Sequence, residues 1–408
     1  MIKARLLVII LTLVFKTKIS VILRGAEDSL NLGIYAGSFF NSSVNFEESA
    51  SHSAQHINCC KMNPLFPILC TVFMNVSGKS LENLLNNVKA AGKRCSWAIV
   101  GYDDSSPALN QKLIVDAIVQ SGSKLEYYQI ENDTSLYNSY MKDRGIAKRY
   151  ESMTYTYINE SDPQSKSIKF LHIPKPLLYL RVQHLLPQFS KVWLLDEDIS
   201  LKNFDFETYM YIIECGNKNP PMISQPLLAD NSQYFKYLNV RSWKGAMVFA
   251  VPTSYVEQQT PLLNTLFFNW FLENVVKPLS PLAFLLGSDW SFDDMWCRAG
   301  THFAKVVYNY STPNYSACLL VTKGTPIHHL NLRSLQFLHL DRKGFGAIGD
   351  RLRNMTAKVF PNWLVKGAFA DTLHPKDRRQ TRKQAVWKLP RSCVSSDLST
   401  LHIPSSLK

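Results

Sequence analysis

The sequence lacks the cysteine spacing of a structural zinc site. Its 408 residues include eight cysteines but no two of them separated by two residues, so it carries neither a zinc-ribbon nor a thioredoxin-like redox motif. Zinc-finger spacing and other nucleic-acid motifs are also missing, although the net charge is +13. Between residues 341 and 391, 13 Lys and Arg stand against four Asp. A solvated basic C-terminal tail (341–408) is therefore expected, and nucleic acid is not an expected partner.

An apolar run long enough to cross a membrane is absent from the N-terminus. Lys3 and Arg5 precede ten residues, 6–15, that are apolar apart from Thr12. This run is shorter than the roughly 17–25 residues of a spanning helix and is typical of a secretory signal. Residues 1–23 are therefore predicted to be a signal peptide or a signal anchor that contacts the membrane. The polar residues 24–61, rich in Ser and Asn, are predicted to be a stem or linker.

Two weaker features agree with entry into the secretory pathway. Seven Asn-x-Ser/Thr sequons occur, at Asn41, Asn75, Asn132, Asn159, Asn309, Asn314 and Asn354. Each sequon can arise by chance, but seven behind an apolar N-terminus indicate a glycoprotein. The even number of cysteines permits disulfides in an oxidising compartment, with buried free thiols as the alternative. The predicted location is the Golgi or ER lumen, for a type II membrane protein or a secreted one.

The hydrophobic patterns of residues 62–340 predict one α/β domain. Strand patterns at 67–74, 97–100 and 124–130 alternate with helix patterns at 80–90 and 109–120. This alternation is the signature of a mostly parallel, Rossmann-like sheet flanked by helices. Further along the chain, the patterns predict helices at 174–186, 204–213 and 262–276, and strands at 192–195, 222–226, 245–251, 304–308 and 317–321.

An acidic triplet directly follows one apolar strand. The strand at 192–195 reads as buried on both faces, and Asp196, Glu197 and Asp198 follow it with no turn signal between. Because side chains alternate along an extended chain, Asp196 and Asp198 project to one side. Carboxylates so close together repel one another unless a cation lies between them. The triplet therefore predicts a divalent metal site, with a solvated strand end as the alternative.

A second acidic group ends another predicted strand. Asp103 and Asp104 follow the strand at 97–100. In open α/β sheets, ligands bind outside the carboxyl ends of the strands, so Asp103 is expected to share a cleft with Asp196 and Asp198. A metal held by Asp-x-Asp suits a diphosphate, and an aspartate at another strand end can accept hydrogen bonds from base or ribose. A nucleotide-sugar transferase needs this combination.

Several motifs resemble those of a eukaryotic family whose reaction is unassigned. The matching segments are Trp193-Leu-Leu-Asp-Glu-Asp-Ile199, Phe204-Asp-Phe206, Ile223-Ser-Gln-Pro226, Tyr102-Asp103, Trp290-Ser-Phe-Asp293 and Ile327-His-His329. Plant members of that family carry the name "lysine-ketoglutarate reductase trans-splicing related". The resemblance spans residues 65–340. It implies a glycosyltransferase of the A-type fold, also called nucleotide-diphospho-sugar transferase-like.

The resemblance also implies roles for particular residues. These are Asp196, Asp198 and His329 as ligands of Mn²⁺ or Mg²⁺; Asp103, Asp196, Gln225 and Trp290 as substrate-binding residues; and Asp293 as the catalytic base. Ser291 stands where the family has Gly, and Asp289, which matches nothing in the family, is the fallback base. The alternatives are a His329 bonded to backbone, a Gln225 that satisfies a turn, and an Asp293 that is an ordinary first-turn acid.

Three functions remain open at this point. The leading hypothesis is a metal-dependent glycosyltransferase that moves a sugar from a nucleotide-sugar donor to a glycan, protein or lipid acceptor in the secretory pathway. The second is a non-catalytic lumenal protein of the same fold that binds carbohydrate or a partner. The third is a metal-dependent phosphohydrolase that uses the same carboxylates.

Overall fold

The structure is a computed structural model that describes residues 68–76, 78–103, 107–130, 175–215, 219–229, 238–243, 249–286, 292–310, 315–324, 326–330 and 364. Its strands are β1 Ile68–Asn75, β2 Cys95–Asp103, β3 Lys124–Ile130, β4 Lys191–Asp196, β5 Ile199–Ser200, β6 Ile223–Pro226, β7 Ala250–Thr253, β8 Leu262–Asn264, β9 Cys318–Val321 and β10 His328–His329. Its α-helices are α1 Gly78–Ala91, α2 Pro107–Gln120, α3 Lys175–Tyr179, α4 Phe206–Cys215, α5 Thr265–Phe271, α6 Lys277–Leu286 and α7 Phe292–Val307. The predicted alternation of strands and helices over residues 67–130 is confirmed element by element.

Strand β4 is buried on both faces, as its four consecutive apolar residues predicted. Val192 and Leu194 belong to one hydrophobic cluster, which also contains side chains of α5 and α7. Trp193 and Leu195 belong to a second cluster, which contains side chains of α1 and α4. All four are at most 1% exposed. Helices therefore cover both sides of the sheet at β4, which leaves only the ends of this strand for binding.

The eight-stranded sheet has the order β3-β2-β1-β4-β8-β6-β9-β7. Strands β3, β2, β1 and β4 are parallel, whereas β8 and β7 run antiparallel to their neighbours. The chain moves outward from β1 to β3 and then returns to place β4 on the other side of β1. This reversal makes the carboxyl ends of β1 and β4 the topological switch point, where open α/β sheets bind their ligands. The mixed α/β sheet confirms the predicted fold class.

Residues 304–307, predicted as the greater part of a strand, form the end of α7 instead. The buried residues of this helix are Phe292, Asp294, Met295, Trp296, Cys297, Ala299, Gly300, Phe303 and Ala304. Most of them recur at spacings of three and four, so one helical face continues from the first turn through Ala304. Burial along that face overrides the local β-propensity of Val306 and Val307, because strand propensity depends strongly on context.

The predicted helix at 262–276 is wrong in its first three residues. Leu262–Asn264 form β8, which pairs antiparallel with both β4 and β6. The helix starts after Asn264, whose Oδ1 accepts a hydrogen bond of 3.0 Å from the backbone N–H of Phe267. This is an N-cap, which ends the strand and begins the helix at one residue. The helical path then continues through a π-helical turn, Leu272–Val276, into α6.

Two further predictions are wrong in their bounds. The helix expected at 174–186 is only Lys175–Tyr179, followed by a 3-10 helix at Gln183–Gln188. That second piece contains Pro187, which lacks an N–H and disfavours an α-helical turn before it. The strand expected at 245–251 overlaps β7 only at its last two residues, and residues 244–248 lie outside the described chain.

Two disulfides are present among the described cysteines. Cys70 is bonded to Cys95, which joins the adjacent strands β1 and β2. Cys297 is bonded to Cys318, which joins α7 to β9. The alternative of buried free thiols is therefore wrong for these four residues. Cys70 lies near the amino end of β1, and Cys95 and Cys318 are the first residues of β2 and β9, so both bonds restrain the sheet near the amino ends of these strands.

Removing the bond between α7 and β9 is expected to destabilise the fold strongly. Cys297 and Cys318 are 21 residues apart, and loop-closure entropy for such a separation corresponds to about 3 kcal/mol. The double variant Cys297→Ala/Cys318→Ala retains the other disulfide. Its free energy of unfolding, measured by chemical denaturation, should be lower than that of the wild type by about this amount. Equal denaturation midpoints for the two proteins would contradict the expectation.

The terminal predictions lie mostly outside the described residues. Residues 1–23 and 24–61 lie wholly outside, and of the tail 341–408 only Leu364 is described, as a buried residue of the cluster that contains Val192. The bounds of the domain at 62 and 340 stay predictions. In the part of the chain that the structure describes, no helix combines the length and hydropathy needed to span a bilayer.

Candidate active site

Two asparagines of α1 hold the turn that follows β4. Asn83 Nδ2 donates to the carbonyl oxygens of Glu197 at 2.8 Å and Ile199 at 2.9 Å. Asn87 Nδ2 donates to Ile199 O at 2.7 Å, and its Oδ1 accepts from Leu201 N at 2.7 Å. Both side chains are buried and lie one helical turn apart, so they face the turn side by side. They fix the backbone of the acidic triplet at the switch point.

The predicted metal ligands Asp198 and His329 are in contact. Strand β10 pairs antiparallel with β5 and places His329 opposite Ile199. The backbone N–H of Leu330 donates to the carbonyl oxygen of Asp198 at 2.7 Å. His329 Nε2 lies 3.0 Å from Asp198 Oδ2, and both side chains are largely buried. A short stretch of backbone pairing thus brings together two residues that are 131 positions apart in the sequence.

Asp196 is paired with a lysine. Lys175 Nζ lies 2.7 Å from Asp196 Oδ1 and 2.7 Å from Oδ2. Burial raises the pKa of Asp196 to about 6; the charge of Lys175 opposes this rise, and Asp198 adds to it. His329 also acts on this carboxyl. Asp196, Asp198 and His329 therefore lie within electrostatic range of one another, as the alternation of side chains along the triplet predicted for the two aspartates.

Residues 255–261 run along the end of β4. The backbone N–H of Asp196 donates to the carbonyl oxygen of Gln259 at 2.9 Å. Trp193 Nε1 donates to the carbonyl oxygen of Thr260 at 3.1 Å and lies 3.0 Å from its hydroxyl. The segment leads directly into β8, the antiparallel neighbour of β4. Its residues are therefore held beside the acidic triplet.

The first turn of α7 contacts the same segment. Tyr255 OH donates to Asp293 Oδ2 at 2.7 Å, and Trp296 Nε1 donates to the carbonyl oxygen of Val256 at 3.0 Å. Burial and the nearby Asp293 raise the pKa of Tyr255, so its hydroxyl keeps the proton that it donates. Asp293, the predicted base, is thus a half-buried carboxylate with a fixed orientation.

Gln225 and Glu257 complete the arrangement. The Oε1 of Gln225 accepts from the backbone N–H of Glu257 at 2.9 Å, and both residues are buried. Gln225 therefore satisfies a backbone group, as its alternative interpretation held, although the group belongs to residues 255–261. Burial raises the pKa of Glu257 to about 8, with Asp293 adding to the rise and His329 opposing it. Its carboxyl group is therefore largely protonated at neutral pH.

Glu257 was missed in the sequence. It stands alone among the residues Tyr255-Val-Glu-Gln-Gln-Thr260, with no acidic neighbour and no metal-ligand spacing. Its importance comes from Asp293, His329, Asp196 and Lys175, which all act on its carboxyl group from other elements. The one available signal is a lone Glu in the connection between the predicted strand at 245–251 and the predicted helix at 262–276.

Replacing Glu257 with glutamine is expected to stabilise the protein at neutral and alkaline pH. The pKa of a free glutamate is 4.5, whereas that of folded Glu257 is about 8. The folded state therefore binds more protons than the unfolded state between these values, and the stability of the wild type falls as pH rises through that window. Within that window the free energy of unfolding of the wild type falls by up to about 1.4 kcal/mol per pH unit, the value for one additional bound proton.

The difference in free energy of unfolding between Glu257→Gln and the wild type should thus be larger at pH 7.5 than at pH 5. Denaturation in the presence of a chelator measures it. Glu82→Gln, at an exposed position of α1, is the matched control and should show little change. A Glu257→Gln difference that is the same at both pH values would contradict the assignment.

Some predicted site residues fall outside the described part of the chain. Asp289, Trp290 and the neighbouring Ser291 lie outside it, as does Asp104. Asp103 ends β2, and only its backbone is described, paired with Asn75 of β1. The roles predicted for Asp103, Asp289 and Trp290 therefore stay predictions.

Asp198 and His329 are the two predicted metal ligands that the structure brings into direct contact. Among the described residues, no group of three or more His, Cys, Asp or Glu is arranged to hold a metal, and Asp196 is engaged by Lys175. The separation of 3.0 Å between Asp198 Oδ2 and His329 Nε2 matches two adjacent positions of an octahedral ion, which lie about 3 Å apart for bonds of about 2.1 Å. Such ions often use one or two protein carboxylates and take their other ligands from phosphate and water. Asp198 and His329 fit a cation of this kind.

Comparison with known proteins adds little to this geometry. No protein-family model matches the chain, and no curated protein sequence is significantly similar to it. The resemblance to the eukaryotic family therefore stays a prediction. A solved structure that is similar is that of the galactosyltransferase LgtC in complex with donor and acceptor sugar analogs, which matches over 76% of this chain and 100% of its own at 9% identity, with a TM-score of 0.29. A likeness this distant carries no argument about function, which rests on the site.

Proposed function

We propose that this protein is a metal-dependent glycosyltransferase that moves a sugar from a nucleotide-sugar donor to an acceptor. The observation that carries the proposal is the convergence of Asp196, Asp198, His329 and Asp293 on Glu257 and the turn after β4. These groups come from separate elements and meet at the switch point of the sheet. A site that transfers a sugar from a diphosphate needs acidic groups of two kinds, one to hold a cation and one to take up a proton.

Charge supports the participation of a divalent cation. Three aspartates lie in or beside this site, at positions 196, 198 and 293, whereas Lys175 is the permanent cation found among its described residues. A diphosphate brought to such a site meets repulsion unless further positive charge accompanies it. Mn²⁺ or Mg²⁺ bound there would supply that charge and would offset the negative charge of the leaving diphosphate. Asp198 and His329 hold the ion in this proposal.

The other side chains bind, orient and move a proton. The Lys175 ammonium group holds the Asp196 carboxylate and faces the turn that follows β4. Asp293 accepts the proton of the attacking acceptor hydroxyl in an inverting reaction, while Tyr255 holds its carboxylate in place. Asp103 is the proposed contact for the nucleotide and Trp290 a proposed substrate contact; the acceptor is a glycan, a protein or a lipid.

A direct assay tests the proposal. The full chain, produced in a secretory host, is incubated with Mn²⁺ and a panel of nucleotide sugars, and release of the nucleoside diphosphate is followed with and without chelator. Turnover that disappears with chelator is the expected result. The proposal fails if no nucleotide sugar is bound or consumed and Asp196→Ala changes nothing. Phosphate release from simple phosphomonoesters would instead favour a phosphohydrolase, and chelator-resistant glycan binding a non-catalytic lectin.

The secretory pathway is the proposed location. Two disulfides in the described chain support it, because disulfides persist in oxidising compartments. Entry through residues 1–23 and residence in the Golgi or ER lumen are part of the same proposal. An exposed sequon asparagine supports it as well: Asn309 lies two residues after the end of α7, in a left-handed conformation with φ of 54°.

Asn309→Gln is therefore expected to remove one N-linked glycan from the secreted protein. Electrophoresis before and after enzymatic deglycosylation measures it: the variant should migrate faster than the wild type by one glycan, and the two should coincide after treatment. Asn86→Gln, at an exposed asparagine outside any sequon, is the control. A wild type whose migration is unaffected by deglycosylation would contradict the proposed location.

A further inference from the structure

Glu257 and Gln225 form a buried polar pair near the turn that follows β4. Gln225 is 0% exposed and Glu257 is 7% exposed. The pair is fixed in place because the Gln225 Oε1 accepts from the Glu257 backbone N–H. This bond also sets the orientation of the amide, since a backbone N–H requires the oxygen and not the nitrogen opposite it. The amide nitrogen of Gln225 is thereby left as a donor.

Two atoms of this pair have unused hydrogen-bonding capacity. Within the described chain, Gln225 Nε2 and Glu257 Oε2 are buried and have no hydrogen-bond partner. An unsatisfied buried polar group costs about 1–3 kcal/mol. The two atoms belong to residues that are hydrogen-bonded to each other, so they call for a polar ligand between or beside them. Nε2 is a donor, and a carboxyl oxygen accepts, or also donates when it is protonated. A hydroxyl group, which both donates and accepts, fits this pair.

The location of the pair indicates which part of a substrate reaches it. Glu257 lies in the segment 255–261, which is hydrogen-bonded to Asp196 through the Gln259 carbonyl oxygen and to Asp293 through the Tyr255 hydroxyl, so it lies among the residues of the candidate active site. In the proposed function, the diphosphate lies at Asp198 and His329 and the acceptor hydroxyl at Asp293. The group that lies between diphosphate and acceptor in a transferase is the sugar itself.

We propose that Glu257 and Gln225 bind a hydroxyl group of the transferred sugar and form the subsite that recognises the donor sugar. This inference rests on the proposed function and names the part of the donor that these two side chains read. The transferred sugar is neutral and rich in hydroxyl groups, which suits a site that already contains several carboxylates. Loss of a hydrogen bond in such a buried site discriminates strongly, because the remaining partner is left unsatisfied.

Calorimetric binding measurements in Mn²⁺ test the subsite. A panel of uridine and guanosine diphosphate sugars is compared with the two nucleoside diphosphates alone. In the wild type the sugar should tighten binding, and in Glu257→Met this advantage should fall by about tenfold or more, which corresponds to about 1.4 kcal/mol. Binding of the nucleoside diphosphate itself should change little, which also shows that the variant is folded.

Two further variants separate recognition from structure. Glu257→Gln retains a donor and an acceptor and should keep most of the sugar's advantage. Thr71→Val removes another buried oxygen without a hydrogen-bond partner in the described chain, in the interior of β1, and should leave the advantage unchanged. If Glu257→Met binds nucleoside diphosphate and nucleotide sugar as the wild type does, the pair holds only an internal water and the subsite is overturned. If the wild type binds no nucleotide sugar, the proposed function is overturned and the subsite with it.

Discussion

Asp198→Asn is expected to lower kcat/KM for a nucleotide sugar by about a hundredfold to a thousandfold, the range seen when one preorganised charge-stabilising group is lost. The substitution removes a negative charge that lies 3.0 Å from His329 Nε2. It preserves the shape of the side chain and leaves the backbone bond from Leu330 N to Asp198 O in place. The turn is also held independently by Asn83. The loss should therefore reflect charge at the site and not a change of fold.

The dependence of activity on Mn²⁺ distinguishes loss of a metal ligand from other causes. The concentration of Mn²⁺ at half-maximal activity should rise in Asp198→Asn and in His329→Ala, since each variant removes one of the two proposed ligands. Asp116→Asn, at an exposed position of α2, is the matched control for the same chemical change and should behave as the wild type. Unchanged kcat/KM and metal dependence in Asp198→Asn would exclude Asp198 as a ligand.

The sequence predicted the strands that bear the site better than the connections that complete it. Buried parallel strands such as β4 have consecutive apolar residues, and the acids that follow stand out against them. The first three strands and both helices between them were found for the same reason, because local periodicity reports burial directly. The sequence accordingly predicts that the carboxyl ends of β2 and β4, with Asp103 and Asp196, lie on one edge of the sheet.

Residues joined only by tertiary structure could not be predicted in this way. Asn83 and Asn87 lie on the buried face of α1, where a sequence pattern favours apolar residues, and their purpose appears only when the turn after β4 packs against them. Lys175 begins a helix that is shorter than predicted, and its side chain contacts Asp196 of a different element. Glu257 is a similar case, since its surroundings come from four other elements. Long-range contacts of this kind leave no periodic trace.

The structure also changes how the acidic triplet is expected to work. The family resemblance implied that Asp196, Asp198 and His329 together hold one cation. In the fold, Lys175 neutralises Asp196, and His329 stands at Asp198. The two aspartates thus have different partners and different tasks: Asp196 fixes a lysine at the site, and Asp198 offers an oxygen beside an imidazole nitrogen. This separation explains how two acids so close together are accommodated at the end of one buried strand.

Asp293→Asn is expected to lower kcat by about a hundredfold or more, because a positioned general base contributes about 10²–10⁴ to a rate. Asparagine can still accept a hydrogen bond from Tyr255 OH, so the first turn of α7 should keep its contact with the segment at 255–261. It cannot take the proton of the acceptor hydroxyl. The KM for the donor should change little, since Asp293 acts on the acceptor.

Tyr255→Phe separates positioning from proton transfer at the same carboxylate. The Tyr255 hydroxyl donates to Asp293 at 2.7 Å, and a donor of this kind favours the ionised form of a carboxylate. Its removal should lower kcat by about tenfold, as expected for a hydrogen bond to a charged group, and should move the acidic limb of the pH–rate profile to higher pH. Tyr209→Phe removes another buried tyrosine hydroxyl, which lies 2.9 Å from Ser224 Oγ, and should leave the profile unchanged. Activity of Asp293→Asn within a few-fold of the wild type, together with retention of the donor's anomeric configuration in the product, would show that the reaction needs no base at this position. In such a retaining transfer the acceptor attacks the face that the diphosphate leaves, and an oxygen of the departing diphosphate can take up its proton.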